Sequence, residues 1–119
     1  MSNLNRDLTV LLHMKEYCEQ IEKTFDMFGK NIEDFNLNVV FRNAISMPIF
    51  QIGELVNHLT QDYIVATQND INWNEIRGMR NRFAHGYYDM DYSIIFDTAI
   101  NDIPLIKEFI DKEIKKLMK

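Results

Sequence analysis

The sequence predicts an all-α fold: an up-and-down four-helix bundle with kinked long helices and a short extra helix. Apolar residues recur at spacings of three and four along most of the chain, and almost no stretch alternates apolar and polar as a half-buried strand would. The scale follows from 119 residues, 46% hydrophobic and 26% charged, which suit one core. Residues 1–119 are therefore expected to form a single domain.

Each element has its own justification. Leu11, Met14, Cys18, Ile21, Phe25 and Phe28 line one face of a first helix, which Gly29 ends. A second helix starts near Asn31 or Asp34 and carries Phe41, Ile45, Pro48, Ile49, Ile52, Val56 and Leu59. Pro48 lacks an N–H and kinks it, yet the apolar register continues past, so one bent helix is expected. Residues 60–72 mix polarity and turn formers, which predicts a loop with a short helical turn. Asn72 and Glu75 form a capping-box pattern that starts a third main helix. That helix turns Trp73, Ile76, Met79 and Phe83 towards the core and is expected to end at Gly86. Finally Phe96, Ala99, Ile103, Ile106, Ile110 and Leu117 keep the rhythm straight through Pro104. A kinked last helix is predicted, with lysines in its final turn that complement the helix dipole. Four such stripes can be buried only against one another.

Composition excludes several function classes. The net charge of -5 argues against broad attraction to nucleic acid, so any such contact must be local. Cys18, the single cysteine, cannot form an internal disulfide, and MSNLNRDLTV lacks the apolar run of a leader. No apolar run approaches the roughly 20 residues of a membrane span. A soluble protein of the reducing cytoplasm, without membrane contact, is expected. There is no glycine-rich phosphate loop, CxxC pair or HExxH. Glu54 and His58 are one residue too far apart for a Glu-x-x-His motif, and read as ordinary polar groups at adjacent turns. His13 reads as a surface group and Cys18 as core packing. No metal or cofactor is expected.

The chemistry is concentrated in MRNRFAHGYY, residues 79–88. Arg77, Asn81 and His85 are spaced i, i+4, i+8 and drift by about 80° on a straight helix, with Arg80 about 60° to the other side of Arg77. Arginine can hold a phosphate with its planar fork, and histidine moves protons near neutral pH, so the strip could bind and cleave a phosphodiester. One histidine is not enough where both a general acid and a general base are needed. A second copy facing it across a two-fold axis would complete the set. Solvated arginines on a helix ending in His-Gly explain the same residues without a function, and the residues alone leave both readings open.

Arg80 to Tyr87 reads R-x-x-x-x-H-x-Y, with Asn81 directly after the arginine, and resembles the signature of the HEPN superfamily, specifically its HepT-like toxin branch. The segment WNEIRGMRNRFAHGYYDMDYSIIFDTAINDIPLIKEFI is similar to that branch throughout, and the IGE of residues 52–54 resembles a motif of its second long helix. The resemblance implies a HEPN-like helical domain. It makes Arg80 and His85 the catalytic pair of a metal-independent endoribonuclease working at a dimer cleft, with Asn81 orienting phosphate or imidazole. It further implies the toxin of a type VII-like toxin–antitoxin pair whose antitoxin, an MntA-like nucleotidyltransferase, transfers AMP to Tyr87, with Tyr88 as a neighbouring acceptor. A non-catalytic HEPN module that binds nucleotide or scaffolds such a partner is the alternative. Glu54 points away from the main apolar stripe, where it could meet Arg80 or Arg77 and hold the fork, or lie exposed. On an ideal helix Arg80 and His85 stand about 140° apart, so a cleft between subunits or a local bend must bring them together. Tyr87 projects near Ile76 and Phe83, and termination at Gly86 would release it.

Overall fold

The computed structural model describes residues 3 to 119, with side chains from residue 5 onward. Met1 and Ser2, at the head of the stretch read above for a leader, lie outside the described residues. Among the described residues there is no strand, and none of the helices is long and apolar enough to cross a membrane. The fold is the expected all-α, HEPN-like bundle.

The first helix, α1 (Asn3–Phe28), ends where Gly29 takes left-handed backbone at φ 81° and its N–H reaches the Phe25 carbonyl at 2.7 Å. The single bent helix expected from Asn31 to Leu59 is two helices. Asn31 caps α2 (Ile32–Leu37) by accepting from the N–H groups of Glu33 and Asp34, and Asn38 caps α3 (Val39–Leu55) by accepting from Val40 and Phe41. Asn38 itself is extended, at φ -107° and ψ 105°, so the register breaks there. The break delivers Phe35, fully buried, into an aromatic cluster with Phe25, Phe28, Phe41 and Phe96. Pro48 lies inside α3, and a 3₁₀ turn, Val56–His58, follows it.

Thr60 caps the short α4 (Gln61–Thr67), the helical turn expected between residues 60 and 72. The third main helix is also divided, into α5 (Trp73–Arg77) and α6 (Met79–Tyr88), with Gly78 between them. Gly86 does not end α6. It is buried inside the helix, which stops two residues later and turns at Met90, φ 59°. Phe83 is the other correction: Trp73, Ile76 and Met79 enter the core, whereas Phe83 is half-buried against Phe50 at a centroid distance of 5.3 Å. The last segment is α7 (Ser93–Asp97), a π turn over Thr98–Asp102, and α8 (Ile103–Leu117). Pro104 falls in the first turn of α8, directly after the π turn, where its missing N–H is tolerated.

α1 packs on α3 and α8, and α3 also carries α6. Buried polar groups tie the ends together. Asp7 accepts from the Thr60 N–H and hydroxyl at 2.8 and 2.7 Å, and the Tyr63 hydroxyl donates to Glu113 at 2.8 Å. Burial, followed by that bond, raises the Tyr63 hydroxyl well above its usual acidity range. Cys18 is fully buried and its thiol is pushed up to about 12, chiefly by desolvation, as fits core packing.

Candidate functional site

Local sequence explains how α6 is presented. Asn72 accepts from the Glu75 N–H at 3.1 Å and starts α5, but the reciprocal half of the capping box is replaced: Glu75 instead receives Arg82 at 3.3 Å. The α5–α6 junction then presses on α3 at Gly53. A Cβ on Gly53 would lie 3.1 Å from the Arg80 nitrogen and 3.2 and 3.3 Å from the Ile76 and Arg77 carbonyl oxygens, so a side chain here would push on three backbone atoms and the approach favours glycine. The IGE segment thereby gains a physical meaning. Its glycine seats the backbone of Arg80, and its glutamate, one residue on, meets the side chain.

Arg80 Nε lies 3.2 Å from Glu54 Oε1, and the guanidinium stands 5.9 Å from the Phe50 ring centroid. Arg80 is nevertheless 62% exposed. Of the two partners considered for Glu54, the structure selects Arg80. Arg77 instead bonds the side-chain oxygens of Asn57 and Asn74, each at 2.9 Å. Arg82 turns to the other side of α6, with Asp102 at 2.6 Å and Thr98 at 3.3 Å, and fastens α6 to the last helical segment. Asn81 is exposed. His85, 67% exposed, places Nδ1 3.0 Å from Asp89 Oδ2.

Tyr87 is not released as termination at Gly86 would have allowed. Its ring stacks on Phe83 at 5.4 Å and meets Tyr92 edge-on at 6.2 Å, while its hydroxyl donates to Asn43 Oδ1. Tyr88 is 83% exposed. Around α6, Tyr87 lies within about 20° of Arg80 and about 160° from His85, so neighbours in sequence face different ways.

The candidate residues therefore fall into two separate clusters. One joins Arg80, Glu54 and Phe50, with Tyr87, Phe83 and Asn43 along the same α3–α6 seam; the other joins His85 and Asp89. Because α6 runs unbroken from Met79 to Tyr88, no bend closes the angle of about 140° between Arg80 and His85. Asn43, Phe50, Gly53 and Asp89 were missed from sequence. Asn43 and Phe50 fall in helical register with Glu54, and Asp89 is i+4 from His85, so both signals were present as spacing.

The surroundings set limits on the chemistry. Among the described residues no group of three or more His, Cys, Asp or Glu could hold a metal ion. An apolar cleft of about 150 Å³ between Ile71, Ile76, Met79, Leu105 and Ile106 has Arg82 at its edge, and its lining includes neither Arg80 nor His85. Arg80 and His85 both lie on exposed surface.

A protein from Caldanaerobacter subterraneus subsp. tengcongensis named "Putative RNase" is 31% identical over 87% of this chain and 93% of its own length. A "Putative RNase" of Methanocaldococcus jannaschii is 32% identical over 94% of this chain and 91% of its own. The "Probable ribonuclease HepT" of Thermococcus cleftensis is 27% identical over 82% and 93%. No solved structure gives a significant match. The family model described as Ribonuclease HepT-like matches residues 14–113, from the middle of α1 to the last turns of α8, and the chain belongs to that family.

Proposed function

We propose that this chain, as one domain, is a metal-independent endoribonuclease of the cytoplasm and the toxin of a toxin–antitoxin pair of the HEPN and nucleotidyltransferase kind. The observation that carries the reading is the pairing, on one straight helix of a HepT-like ribonuclease, of an exposed guanidinium held by a carboxylate with an exposed imidazole held by another.

Two copies complete the site. The 2′-oxygen of RNA attacks its own 3′-phosphorus while His85 of one copy accepts the hydroxyl proton. The bond from phosphorus to the 5′-oxygen breaks, and a protonated His85 of the other copy delivers a proton to that oxygen, leaving a 2′,3′-cyclic phosphate and a 5′-hydroxyl. Arg80 neutralises the phosphorane, with Glu54 holding its fork and Asn81 and Arg77 flanking the phosphate. DNA lacks the attacking hydroxyl and is spared. The copies would meet along the seam beside Arg80. Val40, Asn43, Met47, Phe50 and Glu54 share one face of α3 by helical spacing, and Val40 and Met47 are 64% and 47% exposed.

The partner is a small nucleotidyltransferase of the MntA type. The Tyr87 oxygen attacks the α-phosphorus of ATP, pyrophosphate leaves, and AMP remains on the ring. Modification would break the bond to Asn43 and put bulk and negative charge on the face that carries Arg80, repelling a phosphate-bearing substrate.

The test compares RNA cleavage and growth inhibition by wild type and His85→Ala at equal folded dimer concentration. Loss of both in the variant is expected; equal activity would remove the motif from catalysis. A non-catalytic module that binds nucleotide or scaffolds its enzyme partner is the second reading. It is favoured by the separation of Arg80 and His85, about 140° apart around α6 within one chain, and equal activity would support it. Mass spectrometry after expression with a partner nucleotidyltransferase is expected to place adenylate on Tyr87; adenylate on Tyr88 alone would reassign the acceptor.

A further inference from the structure

The carboxylate of Asp89 sits where a helix tolerates it poorly. Asp89 is the C-cap of α6, and negative charge there opposes the partial negative charge of the helix C-terminus. The ion-pair partner of its carboxylate is His85, whose Nδ1 lies 3.0 Å away. Both groups are more than half exposed, so the pair contributes little to stability. The backbone beneath it is nevertheless held firmly. Asp89 N–H bonds the His85 carbonyl, Met90 takes the left-handed conformation that non-glycine residues seldom adopt, and the chain folds back so closely that a Cβ on Gly86 would lie 3.0 Å from the Asp91 carbonyl oxygen. Asp91 in turn accepts from the Ser93 hydroxyl at 2.6 Å. A strained turn that clamps an electrostatically disfavoured carboxylate beside an exposed imidazole calls for a use other than folding.

We propose that Asp89 is a positioning residue for His85. By accepting from Nδ1–H it fixes the neutral ring in that tautomer and leaves Nε2 bare and outward as the atom that exchanges protons with substrate. When the ring is protonated, the same carboxylate balances the imidazolium. The inference rests on the ribonuclease reading for its use, but the tautomer is a property of the folded chain and can be measured without RNA.

The experiment labels the histidines with ¹⁵N and records two-bond ¹H–¹⁵N correlations above the imidazole titration, assigning His85 by its absence from His85→Ala. Wild type is expected to carry the proton on Nδ1, and Asp89→Ala to revert to the Nε2–H form that an unconstrained histidine side chain prefers. In RNA cleavage Asp89→Ala is expected to lower kcat by about ten-fold or more with KM unchanged, as when other groups that orient a reacting ligand are removed. A wild-type ring protonated on Nε2, or a tautomer that Asp89→Ala leaves unchanged, would overturn the proposal. An Nδ1 proton lost in Asp89→Ala, together with His85→Ala cleaving RNA like wild type, would uphold the positioning and overturn the nuclease reading instead.

Discussion

In the proposed site, Arg80 and Glu54 would decide how a phosphate is met. The guanidinium meets Glu54 through Nε and the side chain is 62% exposed, and a planar guanidinium fork can match two phosphate oxygens at once. Arg80→Lys keeps the charge but loses the fork. Cleavage is expected to fall about 10²-fold, the scale of losing one preorganised donor, with the melting temperature unchanged because the residue is exposed. Side-by-side RNA cleavage and thermal melts check it. Glu54 could be placed from sequence because its helical position takes it off the apolar stripe. Asp89 was equally visible at i+4 from His85, but the expected helix end at Gly86 hid it: a helix stopping there has no turn on which the two can meet.

Two glycines set the geometry of α6, and both act through close approach. Gly86→Ala would bring a Cβ to 3.0 Å from the Asp91 carbonyl oxygen and 3.2 Å from Ile95 Cγ1. A backbone oxygen cannot swing aside as a side-chain end can, so a loss of about 1–3 kcal/mol is expected by denaturant titration, with the His85–Asp89 turn displaced. Asn38→Ala removes the cap that starts α3 and is expected to cost about 1 kcal/mol, read in the same titration. The breaks at Asn38 and Gly78 escaped the sequence reading for one reason. Apolar spacing reports which face is buried: across Gly78 that face runs on through Trp73, Ile76 and Met79, and at Asn38 the stripe begins only at Phe41, so periodicity registers neither change of direction. Only Phe35 entering the aromatic cluster, and α6 seating on Gly53, require the chain to turn.

At the scale of the molecule, α1 and α8 are joined by charge as well as by core. Burial alone would raise the Asp111 carboxyl, but hydrogen bonds from Lys107 and Lys15 outweigh it and hold it below its ordinary value. Lys107 is raised in turn, first by its bond to Asp111. A depressed carboxyl stabilises the fold above its unfolded value and loses that contribution as pH falls through the folded one. Stability is therefore expected to decline below about pH 4, and less steeply in Asp111→Asn, as melting curves across acidic pH would record. The proposed two-copy site makes a second demand. Met47→Glu, on an exposed position of α3, is expected to give a monomer by light scattering with an unchanged helical spectrum and cleavage lost.

By itself the sequence determined the helical class, the residues of each buried stripe and the family signature from Arg80 to Tyr87, since these follow from side-chain type and a spacing of three or four along one strand of chain. Tertiary structure decided which carboxylate holds Arg80, that Tyr87 hangs on Asn43 beside Arg80, and that Arg80 and His85 stay apart in a single copy. Those outcomes depend on contacts between residues tens of positions apart and on the course of α6 after Gly86, which close packing against Gly53 and the turn at Met90 impose and local spacing does not encode.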